Sequence, residues 1–471
     1  MKSLKIAACF LTLLLSDLAY ATTCCVPQDY AGIQAAVDAS QDSDSVILAP
    51  GRYSGLGNRN INLRGKKITI SSTNPKDPQI INSTIIDCQG LGRAFVCYSG
   101  ETTEATLTGL TIINGRASIG GAIYCYNNSS PTIKNCIISN CSATLGGAIA
   151  CTNSNTRPAI YNCQIIANSA IVGGGGIYSN GACPLITNCL ISGNFASSGG
   201  AVYCHNAGYS IVTNSTIAGN AASGSAGAVY CYSSSSMTLT DSILWSDSAN
   251  NAAEILLGSS AIIRISYCDI QDPAKNVLNS SDSSIIWVQG NIALDPCFAA
   301  LGLLSANRTR SGCNFNLRKG SPCIDAGDPA LSPLPGETDI YGGPRLSGKR
   351  IDIGADEYKQ AIQAVVQLEP KTLNLSSNGN WINCSITLPD NYDIDQIDTA
   401  TIFMERIIAP AWSNTDTLAK KLMVKFDRSQ VQQALRAADS PASLNVTGSL
   451  KDGTVFEGSD TIRLLDKVSK N

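Results

Sequence analysis

A motif that returns every 26 or 27 residues constrains this chain more than any other feature. The pattern apolar-x-x-small-x-apolar stands at Leu107/Ile112, with Leu110 at the small position. It recurs at Ile133/Ile138, Ile160/Ile165, Ile186/Ile191, Val212/Ile217, Leu239/Leu244 and Ile265/Ile270. Most copies contain a polar pair: Asn135-Cys136, Asn162-Cys163, Asn188-Cys189, Asn214-Ser215 or Asp241-Ser242. Gly-Gly-Ala-Ile/Val units interleave with them, as at Gly120-Gly121-Ala122-Ile123 and Gly199-Gly200-Ala201-Val202. A fixed period of this length marks a solenoid, because one unit cannot bury its own apolar face and must stack on the next.

Local composition decides between helical and β units. Each repeat alternates short runs of Ile, Val, Thr, Tyr and Cys with clusters of Gly, Asn and Ser, while Glu, Lys and Gln are scarce. That is strand chemistry. Coils stacked at about 4.8 Å then form a parallel β-helix, an all-β solenoid with one continuous core. By strand parity Cys136/Ile138, Cys163/Ile165 and Cys189/Ile191 point inward together. Asn135, Asn162, Asn188 and Asn214 fall at one turn of successive coils and are expected to form an amide ladder.

On these residues the chain resembles the right-handed parallel β-helices of the pectin-lyase-like superfamily. The opening segment, with Ile33-Gln34-Ala35-Ala36 and Val46-Ile47-Leu48-Ala49-Pro50-Gly51-Arg52-Tyr53, resembles their capping helix and first strand. The Gly-Gly units, preceded by Asn168, Asn194 and Asn220, are similar to repeats of chlamydial polymorphic outer-membrane proteins. The resemblance spans roughly residues 26–358 and implies a fold more than a function, since one fold hosts many sites. Those proteins end in a membrane barrel, whereas this sequence closes on charged residues and Lys470-Asn471, so their anchor is not carried over. The signature Gly320-Ser321-Pro322-Cys323-Ile324-Asp325-Ala326-Gly327-Asp328, continued by Asp352-Ile353-Gly354-Ala355-Asp356-Glu357-Tyr358, resembles the closing segment of bacterial secreted β-helix proteins. It is expected to cover the last open edge. Asp325, Asp328, Asp352 and Asp356 are its candidate ligands for a structural calcium; the other reading makes them turn carboxylates or partners of Arg345 and Arg350. No other cofactor is expected.

Residues 1–21 carry Lys2, Lys5, an apolar run and Ala19-Tyr20-Ala21, the pattern of a secretory leader, which places the protein outside a bacterial-type cell or on its surface. Residues 22–358 are then the β-helix, 359–366 a linker, and 367–471 a small β-sandwich-like module with a helix at 429–438. No later apolar run nears the ~18 residues of a membrane span, so no transmembrane anchor is expected. A formal net charge of −3 offers nucleic acid no electrostatic surface. One histidine in 471 residues excludes multi-His metal sites and disfavours triad nucleophiles. That residue, His205, reads as an exposed turn.

Catalysis on the solenoid would need placed acids. Residues 105–240 contain no Asp or Glu, and their charges are Arg116, Lys134 and Arg157 alone. The best remaining carboxylate pair is Asp241 with Asp269, although Asp241 is also the ladder member of its coil. Most cysteines sit in inward columns as small core residues, with Cys24, Cys25, Cys297, Cys313 and Cys323 the disulfide candidates. Tyr124, Tyr178, Tyr203 and Tyr230 follow the inward Ile or Val of the Gly units, so they form an outward column that Trp245 extends. Two readings of that column stand: sugar rings stack on it, or its rings only stack on each other. The expected function is a noncatalytic adhesion, scaffold or glycan-binding β-helix; the alternative is a lyase, hydrolase or epimerase acting on acidic polysaccharide near the C-terminal coils.

Overall fold

The computed structural model describes residues 21–304, 310–311, 313–405, 407–436, 438–451 and 454–465. The expected leader therefore lies outside the described residues, apart from Ala21. Among the described residues no helix is long and apolar enough to cross a membrane.

One coil shows how the repeat folds. Starting at Thr132 the chain lays down Thr132–Lys134, Ile137–Ser139, Ser142–Leu145 and Ile149–Thr152. These strands join four separate sheets of eleven, nine, five and eight strands, which form faces one to four of the solenoid. Every pairing on the four faces is parallel, and the expected register holds. Leu107, Ile133, Ile160, Ile186, Val212, Leu239 and Ile265 align on face one. Ile112, Ile138, Ile165, Ile191, Ile217, Leu244 and Ile270 align on face two. Both columns are buried in one continuous core. At the N-terminal end the helix Ile33–Ala39 buries Ile33, Ala36 and Val37 over the first coil, and a strand ahead of it, Thr23–Val26, starts the first sheet.

The corner between faces one and two explains its asparagines. Asn135, Asn162, Asn188, Asn214 and Asp241 all have φ between 47° and 53°, a left-handed conformation that Asn and Asp tolerate far better than branched residues do. Along this column only Asn188 Nδ2 donates to Asn162 Oδ1, at 2.6 Å. The continuous amide ladder lies instead at the next corner. There Asn168 Nδ2 donates to Asn194 Oδ1 at 3.0 Å, and Asn194 Nδ2 to Asn220 Oδ1 at 2.9 Å. Asn220 Nδ2 ends the series on Asp247 Oδ1 at 2.8 Å. An acceptor-only carboxylate is a suitable last rung. Burial pushes Asp247 and its buried neighbour Glu254 above the ordinary carboxylate range.

The closing segment does not seal the end of the solenoid. It lies along face two, where its Cys323, Ile340 and Ile353, together with the preceding Phe298, Phe315 and Leu317, pack on Leu190, Ala218 and Ile243. The reason is in the outward residues of that face: Leu190 and Ile243 are apolar and would otherwise be exposed to water. Arg345, fully buried, pins the segment internally through the main chain of Asp352 and Gly354 and the carboxylate of Glu357.

The C-terminal region has its own core, with two predominantly antiparallel sheets built on strands such as Trp381–Thr387, Lys421–Asp427, Ala442–Leu450 and Val455–Leu465. The linker expectation is corrected here: Ile362–Gln363 and Val365–Glu369 are strands of this region, because Val366 and Leu368 alternate inward. Its helix spans Arg428–Ala434, capped by Asp427.

Candidate functional site

Tyrosines lie where strand parity put them on face four, and they do not stand alone. Tyr124, Ala150, Tyr178, Tyr203 and Tyr230 are register partners on successive coils. Two residues further along the same strands a second column runs through Asn180, His205 and Tyr232. Four rings consequently form a block, two wide and two coils deep. Tyr203 and Tyr230 stack at 5.0 Å, His205 and Tyr232 at 5.9 Å with planes 3° apart. Along each strand Tyr203 meets His205 at 5.5 Å, and Tyr230 meets Tyr232 at 5.7 Å. The second column was legible in the sequence, since residues i and i+2 of a strand share a face. His205 is thus a half-buried strand residue rather than an exposed turn, and burial lowers its pKa.

A smaller group lies at the other end of the face. Tyr124 stacks on Tyr126 at 4.6 Å and Tyr126 on Tyr98 at 5.4 Å, with the Arg93 guanidinium 5.1 Å from the Tyr124 ring centre. Tyr178, between the groups, is only 4% exposed and offers no ring to a ligand. The Tyr203 ring lies over Gly173, where a Cβ would come within 2.1 Å of it, so a glycine there lets the ring lie flat. Trp245 is on another face. It ends a face-two strand beside Ala218 and packs against the closing segment. Parity along one strand predicts inside or outside, not which of four faces a residue occupies.

Both acids of the weak catalytic pair are sealed beneath the closing segment at 0% exposure. Asp241 Oδ1 accepts the N–H of Asp328 at 2.6 Å. Asp269 accepts the Leu294 N–H at 3.1 Å and the Cys323 thiol at 3.2 Å. Burial raises each carboxyl to about 6. With no route for a polymer to either group, the pair cannot serve as a surface acid and base. Cys24, Cys25, Cys297 and Cys323 are thiols, and the Cys313 thiol donates to the Leu301 carbonyl.

The aspartates expected as calcium ligands are spent on the main chain. Asp325 Oδ1 accepts the N–H groups of Lys349 and Arg350, and Asp352 those of Asp325 and Tyr358. Asp356 accepts the Leu317 N–H, and Asp328 that of Ala330. Among the described residues no three His, Cys, Asp or Glu side chains converge to hold a metal ion. These acids fold the segment's turns.

The chain matches a family model described as the right handed beta helix region, over residues 42–178 and 148–316. Among solved structures it is similar to the crystal structure of pectate lyase Pel9A, with 16% sequence identity and a TM-score of 0.40 over 69% of this chain and 90% of that one. No curated protein matches it.

Proposed function

Because this chain belongs to the right-handed β-helix family, we propose that it is a noncatalytic protein, secreted or displayed at a cell surface, that binds a glycan through the aromatic block on face four. The observation that carries this reading is the arrangement of Tyr203, His205, Tyr230 and Tyr232 as a half-exposed platform. Aromatic faces suit the C–H faces of sugar rings. Nearby hydroxyls and amides orient a ligand without charge, and residues 105–240 have no carboxylate to repel an acidic polymer. The noncatalytic part is supported by the burial of Asp241 and Asp269, and the extracellular part by the leader-like residues 1–21.

The test is a glycan array probed with the wild-type protein and with a His205→Ser, Tyr232→Ser double variant, each checked by thermal melting. Binding that disappears at an unchanged melting midpoint supports the recognition face. A lowered midpoint with binding intact leaves the rings as mutual support. Reducing-end release and unsaturated-uronate absorbance on a polysaccharide panel should stay at background, and turnover would restore the enzymatic alternative.

A further inference from the structure

The closing segment stops short of one corner of the solenoid and leaves a cleft there. Asn162 and Asn188 Nδ2 groups donate to the Thr338 Oγ1 and carbonyl oxygen, at 3.2 and 2.8 Å. Immediately afterwards the chain turns away, as Asp339 Oδ1 takes the N–H groups of Tyr341 and Gly343. The corner residue one coil earlier, Asn135, is left uncovered. From the other side the loop carrying the short helix Pro78–Ser83 leans over the same strands. Between these two walls is a cavity of about 120 Å³, floored by Asn135, Ile137 and Gln164 and flanked by Ile81 and Tyr341.

The floor is unusual in its unused hydrogen bonding. The Asn135 and Gln164 side chains are half-buried, and neither hydrogen-bonds to another described residue. By contrast Asn162, the counterpart of Asn135 one coil on, both donates and accepts. A carboxamide offers donors and an acceptor within one plane, which matches adjacent hydroxyls on a ring. The Ile81, Ile137 and Tyr341 surfaces match the ring's C–H face. The volume falls well below the ~300 Å³ of sites for drug-sized ligands, so it admits one ring rather than a polymer. We propose that this cleft binds a single pyranose unit, such as the end of a saccharide chain, independently of the aromatic platform.

Saturation-transfer NMR and titration calorimetry with D-galactose, D-mannose, N-acetyl-D-glucosamine and D-galacturonate test the proposal on the full chain. At least one sugar should bind. Asn135→Gly keeps the backbone's φ of 53° accessible while removing the amide, and Gln164→Ala removes the other. Each should weaken binding about fivefold, as the loss of one hydrogen bond implies. The His205→Ser, Tyr232→Ser protein should bind the same monosaccharide normally, which separates this site from the aromatic one. If Asn135→Gly lowers the melting midpoint, Gln164→Ala alone decides. Failure of all four sugars to bind, binding that survives both cleft substitutions, or binding lost only with the aromatic variant would overturn the proposal.

Discussion

The carboxylate of Asp241 receives the backbone N–H of Asp328 at 2.6 Å, so a corner residue of the solenoid is sealed by a segment 87 positions later in the chain. The other oxygen, Oδ2, is buried without a partner. This single contact joins the repeat, the closing segment and the pH response of the fold.

Burial raises Asp241, Asp269, Asp352 and Asp356 to about 6 from an ordinary 3.8. The folded state therefore holds these protons more tightly than the unfolded chain. The stability they contribute is complete below pH ~4 and is lost as pH rises through about 6. Asp241→Asn keeps the acceptor for Asp328 and matches the asparagines of its column. It should raise stability at pH 7 by about 1–3 kcal/mol and flatten the decline between pH 4 and 6. Urea melts at both ends of that window check it; an unchanged slope would show that Asp241 titrates normally.

The buried ladder makes Asn194 costly to lose. Its Oδ1 accepts both the N–H and the Nδ2 of Asn168, and its own Nδ2 reaches Asn220 and the carbonyl of Ile165. Asn194→Ala strands these groups away from water, and a loss of about 3 kcal/mol or more is expected in chemical denaturation.

Ile138, Ile165, Ile191 and Ile217 are fully buried and in register. Truncating any one to Ala should cost about 2–5 kcal/mol. Thr187, half-exposed on face one, should tolerate Ala within about 0.5 kcal/mol. Equal sensitivity of the two classes in urea melts would contradict the register.

Arg345→Ala removes the buried donor to the Glu357 carboxyl, which burial already pushes up to about 8, and to the carbonyls of Asp352 and Gly354, at a cost of about 3 kcal/mol. Arg345→Lys should recover little, since the guanidinium also donates to the carbonyls of Asp352, Gly354 and Asp356. Limited proteolysis followed by mass spectrometry should show cleavage within 313–358 while the coils resist. A wild-type digestion pattern in the Ala variant would refute this role.

The solenoid, its register and its inward columns are written in the 26-residue repeat. The physical reason is that each coil is placed by its nearest neighbour, about 26 residues away, so one contact is written repeatedly as Ile138, Ile165 and Ile191, or as Tyr203 and Tyr230. Even His205 and Tyr232 follow from the two-residue strand period. The position of the closing segment rests on long-range contacts instead. Its contacts, Asp241 with Asp328 and Asn162 with Thr338, span 87 and 176 residues and occur once, so no periodicity announces them. Those unique contacts bury Asp241 and Asp269, turn the supposed calcium ligands into acceptors for backbone N–H groups, place Trp245 under cover, and leave Asn135 open.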